Sequence, residues 1–277
     1  MIKDIILYLE RDVSRDAVRD FAISTAETFA AHLVGISDAF TAIVPNYILP
    51  DFPADILADL LAERETAARG AIERFEAAAK RSGVSAEARL ILQSDFGPPR
   101  TFSEAARHFD LSVIMQSDDD RRVNNDLLIE ATLFDSGRPL IVVPYTERSG
   151  LKLDRIVCCW DGSRAAARAI NDALPLLRKA NGVELFIVAN EKTADEQVLR
   201  GADIARHLAR HDVKVEVETT PAADVDVANV ILSHVADCSA SLLVMGGYGH
   251  SRLREFVLGG ATRGILATMT VPVFISH

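Results

Sequence analysis

The sequence contains the same succession of short apolar runs twice, once in each half. The matched pairs are DIILYL (residues 4–9) with RIVCCW (155–160), LSVIMQ (111–116) with SLLVMG (241–246), and RPLIVV (138–143) with VPVFIS (271–276). Helical patterns separate these runs. Near-continuous apolar runs that alternate with helices indicate strands of a parallel sheet with helices on both faces. The chain is therefore predicted to consist of two α/β units of the same kind.

Each unit reads as a doubly wound α/β domain, with a five-stranded parallel sheet flanked by helices. The predicted domains are residues 1–147 and 152–277, because 277 residues suit two ordinary domains better than one. The first copy holds about twenty additional residues, which follow its second strand. Prolines and aromatic residues in the segment 38–53 predict a loop that folds over the domain as a lid or packs at an interface.

Composition argues against several classes of function. A net charge of −10 and a pI near 5.2 argue against binding to nucleic acid or to an anionic membrane, since phosphate groups require clustered Lys and Arg. No apolar stretch approaches the roughly 18 residues that a membrane helix needs. Three cysteines, of which Cys158 and Cys159 are adjacent, make a poor disulfide framework and suit a reducing compartment. We therefore expect a cytoplasmic protein.

A glycine-rich stretch follows the fourth strand of the second half. Gly246, Gly247 and Gly249 end the apolar run, and Gly259 and Gly260 precede a helical pattern. Successive backbone N–H groups of a glycine loop, added to the positive end of a helix dipole, favour a bound anion. The stretch is predicted to hold a phosphate chain. An ordinary turn is the alternative, because glycine also follows strands where a positive φ is needed.

The spacing Gly246, two residues, Gly249, nine residues, Gly259 resembles the signature of the universal stress protein family. The DGS of residues 161–163 and the VPV of residues 271–273 add to the resemblance, which covers nearly the whole chain as a tandem and is weaker in the first half. It implies the adenine nucleotide alpha hydrolase-like fold and a role in the stress response. It also implies that ATP or a related adenine nucleotide, with Mg²⁺ where required, binds in the C-terminal domain.

The predicted nucleotide site draws on residues from four segments of the second half. These residues are Asp161, Gly162, Ser163, Val188, Ala189, Met245, Gly246, Gly247, Gly249, His250, Ser251, Arg252, Gly259, Gly260, Ala261 and Thr262. The resemblance implies that Asp161 lies near the adenosine and that Val188 and Ala189 wall the adenine. The family has Ser, Thr or Asn where this chain has Gly260, and Thr262 can supply a hydroxyl nearby.

Several of these residues have a second interpretation. Asp161 can instead cap the helix that begins near Arg164, and both roles are compatible. Arg252 can bind phosphate through a charge-assisted hydrogen bond, or it can be a solvated surface residue. Trp160 precedes Asp161 and is predicted to be a core residue that reports ligand entry.

The first half lacks the glycine loop. Residues 116–119 (QSDD) match residues 246–249, so acidic side chains replace glycine and repel a polyphosphate. Residues 10–12 (ERD) likewise match residues 161–163. We predict no ATP in this half, which is retained for structure or for a partner. Because no pair of residues marks hydrolytic machinery, we expect slow hydrolysis or none.

Two other functions are compatible with the sequence. His207 with His211, and His234 with Cys238, lie four residues apart on predicted helices and therefore share a helix face, as a metal site requires. Neither pair has the compact spacing of a zinc motif, so the prediction is that no metal binds. The other alternative is a non-catalytic interaction module that binds no nucleotide and docks a partner through the segment 38–53.

The two domains are predicted to form an internal pseudo-dimer. In the family, domains commonly pair through their last strands, so the resemblance implies a seam between residues 140–143 and 271–275. Further pairing into a homodimer stays open.

Overall fold

A computed structural model describes residues 1–12, 16–39, 54–92, 97–118, 124–189, 194–221, 226–247 and 260–277. The strands are β1 Asp4–Tyr8, β2 His32–Asp38, β3 Ala86–Ile91, β4 Leu111–Met115, β5 Leu140–Val143, β6 Arg155–Cys159, β7 Gly182–Ala189, β8 Glu216–Pro221, β9 Leu242–Gly246 and β10 Val273–Ser276. The helices are α1 Asp16–Phe29, α2 Ala54–Ser82, α3 Gly97–Ala106, α4 Asp126–Asp135, α5 Arg164–Asp172, α6 Leu174–Leu177, α7 Ala194–Arg210, α8 Val227–Asp237 and α9 Gly260–Thr268. The predicted segment 38–53 lies outside the described residues from residue 40 onward.

All of these strands join one ten-stranded sheet in the order β3-β2-β1-β4-β5-β10-β9-β6-β7-β8. The strands are parallel within each half, and the halves meet where β5 runs antiparallel to β10. Ile141 lies opposite Phe274 at this junction. The predicted seam between the last strands is therefore confirmed, and a pseudo-two-fold axis relates the halves.

Helices cover both faces of the sheet. One core contains Phe21, Phe75 and Ile170 and lies under α1, α2, α5 and α7. The other core contains Phe102, Ile231 and Ile265 and lies under α3, α4, α8 and α9. Each core contains residues of both halves, because the sheet continues from one half to the other through the pairing of β5 with β10. The doubly wound α/β class predicted from the sequence is confirmed.

Two boundaries differ from the sequence-based expectation. The sequence pattern of residues 164–179 predicts one helix kinked at Pro175, but α5 ends at Asp172 and α6 starts separately, with Pro175 in its first turn. Proline is tolerated there because the first N–H groups of a helix have no partner within it. A strand from Val213 was also expected, yet Val213 N donates to Leu208 O at 3.1 Å and so completes the end of α7.

The strand registers correct the predicted alignment of the halves by one residue. Val113 on β4 pairs with Ile141, and Val244 on β9 pairs with Phe274. Because Ile141 and Phe274 face each other across the seam, Val113 matches Val244. Gln116 therefore matches Gly247, and the predicted match to Gly246 is wrong. Two runs that are apolar throughout carry no alternation from which the register can be read.

Among the described helices, none combines the length and the apolar composition that crossing a bilayer would require.

Candidate functional site

The strand order of the C-terminal half reverses between β6 and β9. These strands are neighbours, and the chain leaves their carboxyl ends toward opposite faces of the sheet. Helix α5 begins directly after β6, and α9 runs back toward the start of β10, so both helices begin at this edge. Ligands of open α/β sheets bind in the crevice at such a reversal. The described members of the predicted site, which come from four separate segments, are all brought to this edge.

The loop after β6 is built by two side chains that bind its own backbone. Ser163 Oγ accepts a hydrogen bond from Ala166 N at 3.1 Å, so Ser163 is the N-cap of α5. Asp161 Oδ1 accepts from Ser163 N at 2.9 Å and fixes the turn, with Gly162 at φ +78° between them. The cap role predicted for Asp161 therefore belongs to Ser163. Asp161 and Gly162 stay exposed at the edge.

Gly246 allows a helix and a strand to approach closely. A Cβ atom at this position would lie 2.4 Å from Ala166 N and 2.5 Å from the carbonyl carbon of Ala165. Both are backbone atoms of the first turn of α5, which cannot move independently of the helix. The described contacts thus give Gly246 a packing role.

Gly247 is held by the neighbouring strand. Its N–H donates to Ser276 O at 2.8 Å, and its carbonyl lies 2.9 Å from His277 Nδ1. A Cβ here would lie 2.9 Å from Leu133 Cδ2, on the other half of the molecule. The amide of Gly247 is therefore already bonded and is not a free donor for an anion.

No described side chain covers the beginning of α9. Gly260 is exposed, and no described atom lies within 4 Å of a Cβ built on it. Ala261 is half-buried and Thr262 is buried against the sheet. The first N–H groups of a helix have no acceptor within it and carry its positive dipole end. This terminus can accept an anion without displacing a described side chain.

The remaining described residues of the predicted site lie at the ends of β7 and β9. Met245 and Ala189 are buried, and Val188 is half-buried on the strand next to β6. Trp160 packs partly buried against the core, and its Nε1 has no hydrogen-bond partner among the described residues. A cleft of about 400 Å³ adjoins the edge, lined by Trp160, Gly162 and three residues of α7. Gly249, His250, Ser251, Arg252 and Gly259 lie outside the described residues.

The universal stress protein family model matches residues 152–277. Residues 152–277 belong to the universal stress protein family. Universal stress protein Slr1230 of Synechocystis sp. is 28% identical over 138 residues, which cover 49% of this chain and 46% of that relative. The match thus spans less than half of the relative's own length.

Solved structures extend the likeness to the N-terminal half. A universal stress protein from Archaeoglobus fulgidus superposes with a TM-score of 0.73 at 15% identity, covering 99% of this chain and 95% of that one. A protein of unknown function from Pseudomonas aeruginosa PAO1 gives 0.61 at 15% identity, covering 99% and 92%. At these identities the likeness shows the fold alone. The chain therefore repeats the universal stress protein fold in tandem.

The matching edge of the N-terminal half is occupied by its own side chains. Tyr8 OH donates to the buried Asp38 carboxylate at the ends of β1 and β2, and Arg11 Nη1 lies 3.9 Å from the same carboxylate. Asn125 Nδ2 donates to Glu10 Oε1 at 2.8 Å. Burial raises the pKa of Tyr8, and the Asp38 carboxylate raises it further.

Gln116 closes the end of β4 in the same half. Its Nε2 donates to Leu266 O at 2.9 Å and to Ala267 O at 3.2 Å, both on α9 of the other half. Its Oε1 accepts from Tyr145 N at 3.4 Å. Gln116 is only 1% exposed, so these bonds replace the water that its amide gives up on burial.

The histidine pair proposed from spacing does share a helix face. The rings of His207 and His211 lie 4.6 Å apart. His207 Nε2 contacts Asn171 Oδ1 at 3.1 Å, and His211 Nδ1 lies 3.2 Å from Arg178 Nη2. His207 Nε2 and His211 Nδ1 are thus each in contact with a protein side chain.

The second pair, His234 and Cys238, is joined by a residue that the sequence analysis did not select. Glu184 on β7 lies beside both, and burial raises the pKa of the Cys238 thiol, with the Glu184 carboxylate adding to the effect. The available signal was a charged residue within an otherwise apolar strand, because such strands rarely carry one when both faces are covered.

Proposed function

We propose that the C-terminal domain binds ATP or a related adenine nucleotide at the edge between β6 and β9. The observation that carries the proposal is the beginning of α9 at the reversal of strand order, where Gly260 is exposed and no described side chain lies over it. The amides and the dipole of α9 would hold the phosphates there. The adjoining cleft of about 400 Å³ is of the size that small-ligand sites commonly have.

In this proposal, different described residues contact different parts of the nucleotide. The exposed loop at Asp161 and Gly162 lies beside the adenosine, and Val188 and Ala189 wall the base. The residues at the start of α9 contact the phosphates. Gly249, His250, Ser251, Arg252 and Gly259 enter the proposal from their spacing in the sequence.

The proposal extends to the rest of the chain. The N-terminal domain, residues 1–147, binds no ATP because side chains occupy its edge, and it serves structure or a partner. The protein acts in the stress response, in the cytoplasm, and hydrolyses ATP slowly or not at all. Mg²⁺ accompanies the phosphates where it is required. Association into a homodimer is part of the proposal and would use surfaces other than the seam.

Calorimetric titration of the full chain with ATP, with and without Mg²⁺, tests the proposal. We expect one nucleotide per chain. Two sites would contradict the expectation that the N-terminal domain binds no ATP. No site under either condition would contradict the proposal itself. Trp160, the only tryptophan, adjoins the cleft, so its fluorescence should change on titration.

Substitutions at Gly260 separate nucleotide binding from folding. A Gly260→Asp substitution places a carboxylate at the positive end of α9, where it favours the helix but repels phosphate. We expect unchanged or higher stability and a loss of ATP affinity of about ten-fold or more. Gly260→Asn is the matched control, because it has nearly the same shape without the charge and should bind at least as tightly as the unmodified chain. Equal affinities for the two variants would show that α9 does not hold the phosphates.

Gly249→Val tests the part of the site that rests on sequence. A bulky side chain in the glycine loop should abolish ATP binding while the free energy of unfolding stays the same. Gly70→Ala is the control for glycine replacement, since Gly70 lies within α2, away from the edge. Unchanged affinity in Gly249→Val would remove the loop from the site.

A further inference from the structure

Glu184 is a buried carboxylate in the interior of β7. Its side chain is 3% exposed, and its sheet neighbours are Val157 on β6 and Glu216 on β8. The matching strand position in the N-terminal half is Val34, which is buried and apolar. A buried charge is costly unless it is paired and hydrogen-bonded. The C-terminal half thus keeps a costly side chain where an aliphatic one fits the fold.

Both oxygens of this carboxylate are engaged. Arg155 Nε donates to Oε2 at 3.2 Å, and Arg155 Nη2 also bonds that atom. His234 Nε2 bonds Oε1. The imidazole of His234 stacks on Phe186, with ring centroids 3.9 Å apart and planes at 6°, so the ring is held with Nε2 toward Glu184.

Cys238 brings a thiol to the same point. It follows His234 by one helical turn as the C-cap of α8, and its thiol, a weak donor, donates to Val235 O at 3.7 Å. Ligand atoms of Glu184, His234 and Cys238 all lie within 4.8 Å of one another. His234 and Cys238 are half-buried, so an ion can reach the cluster from solvent.

We propose that Glu184, His234 and Cys238 form a binding site for a divalent zinc ion. Thiolate, imidazole and carboxylate are the ligand types that zinc takes in proteins, and tetrahedral zinc places its ligand atoms about 3.5 Å apart. Arg155 keeps its bond to Oε2 and orients the carboxylate from outside the coordination sphere. Three protein ligands leave the fourth position to water or to a small exogenous ligand.

This site is separate from the nucleotide edge. Glu184 is the third residue of β7, and Val188 at the proposed adenine wall is four residues further along the strand, a distance of about 13 Å. The proposal of zinc binding and the proposal of nucleotide binding can therefore be tested independently of each other.

Titration of the metal-free full-length protein with Co²⁺, in the absence of nucleotide, tests the proposal. Cobalt replaces zinc in such sites and reports its ligands by absorbance. We expect one Co²⁺ per chain, a thiolate-to-cobalt charge-transfer band in the near ultraviolet and the visible bands of four-coordinate cobalt. Zn²⁺ should remove these bands, and ATP should leave them unchanged. Absence of the charge-transfer band would overturn the proposal.

Variants assign the ligands. Cys238→Ser should abolish the charge-transfer band, and His234→Ala and Glu184→Gln should each weaken Co²⁺ binding by more than about ten-fold. Cys159→Ser and His207→Ala are matched controls that remove a thiol and an imidazole elsewhere and should keep the spectrum. A band that survives Cys238→Ser, or disappears in Cys159→Ser, overturns the proposal. Because Cys238 is half-buried at a helix end, its variant decides the matter even if Glu184→Gln does not fold.

Discussion

The two halves use the same edge of the same fold in opposite ways. In the N-terminal half, the ends of β1, β2 and β4 are closed by side chains that bond one another. In the C-terminal half, the ends of β6, β7 and β9 present glycine, alanine and valine together with an exposed turn. Among the described residues, the same backbone topology therefore carries interacting side chains at one edge and small side chains at the other.

The clearest contrast lies at one pair of matched positions. Gln116 reaches across to the last carbonyls of α9 in the other half. Its counterpart Gly247 has no side chain, and Leu133 of α4 packs into that space, 2.9 Å from where a Cβ would be. At positions related by the pseudo-two-fold axis, Gln116 thus forms hydrogen bonds between the halves, whereas Gly247 allows an apolar contact with Leu133.

The strongest test of the comparison asks whether the halves unfold as one unit. Phe75 is buried in the core of the N-terminal half, so Phe75→Ala should lower the free energy of unfolding by about 3–5 kcal/mol. Trp160 lies in the C-terminal half, and urea unfolding followed by its fluorescence should show the whole loss, because both halves share each core. A tryptophan transition that stays in place would mean that the halves unfold separately.

The next effect separates the two roles of glycine at the open edge. Gly246→Ala brings a Cβ against the backbone of α5, and we expect a loss of roughly 2–4 kcal/mol in urea unfolding. Gly260→Ala is the matched control, since the added atom meets open space and should change stability by less than about 0.5 kcal/mol. Equal effects at the two positions would contradict the packing role of Gly246.

A smaller effect is expected for the link between the halves. Gln116→Ala removes the two hydrogen bonds from Nε2 to the carbonyls of Leu266 and Ala267, and because each such bond contributes about 0.5–1.5 kcal/mol net, we expect a loss of about 1–3 kcal/mol. Urea unfolding measures the loss. Thr66→Ala, which removes an exposed hydroxyl that donates to Ala62 O within its own helix, should cost less than about 0.5 kcal/mol. A loss no larger than that of the control would show that Gln116 is dispensable.

The smallest effect, measured over the single unit between pH 9 and about pH 10, is a difference in alkaline stability between matched residues Tyr8 and Cys159. Burial raises the pKa of Cys159 to about 12, and the Asp161 carboxylate contributes. The folded protein therefore holds this proton more tightly than the unfolded chain, whose cysteines titrate near pH 8.5. Stability from Cys159 is complete below about pH 8.5 and is lost as the pH rises toward 12, with a slope of about 1.4 kcal/mol per pH unit.

Tyr8 should lose its contribution later, because unfolded tyrosine titrates near pH 10 and the pKa of Tyr8 is raised above that value. Between pH 9 and about pH 10, Cys159→Ala should flatten the fall in unfolding free energy, and Tyr8→Phe should not. Urea unfolding across this range compares the variants. The reverse order would contradict the assignment of these protons.

Much of the architecture was predictable from the sequence, because apolar runs and helical patterns are local. The strands, the doubly wound class and the seam all follow from such patterns or from the family resemblance. The match of Gln116 to Gly246 failed because apolar runs lack a period that fixes register. The packing role of Gly246 depends on how closely α5 crosses β9, which no local pattern records.

The site was predictable only in part for the same reason. The spacing of His234 and Cys238 indicated a shared helix face, but Glu184 joins them from a strand fifty residues earlier, through tertiary structure alone. Asp161 was expected to cap the helix near Arg164, whereas Ser163 Oγ accepts from Ala166 N. Both residues carry an oxygen suited to a cap, so residue type alone does not decide between them.

The antiparallel pairing of β5 with β10 leaves only two open borders on the sheet, at β3 and β8. Exposed Glu87 and Arg89 lie on the first border, and Glu216 and Glu218 lie on the second. Charged side chains on a border strand oppose the addition of another strand. These charges therefore oppose the joining of copies of this chain edge to edge into a longer sheet.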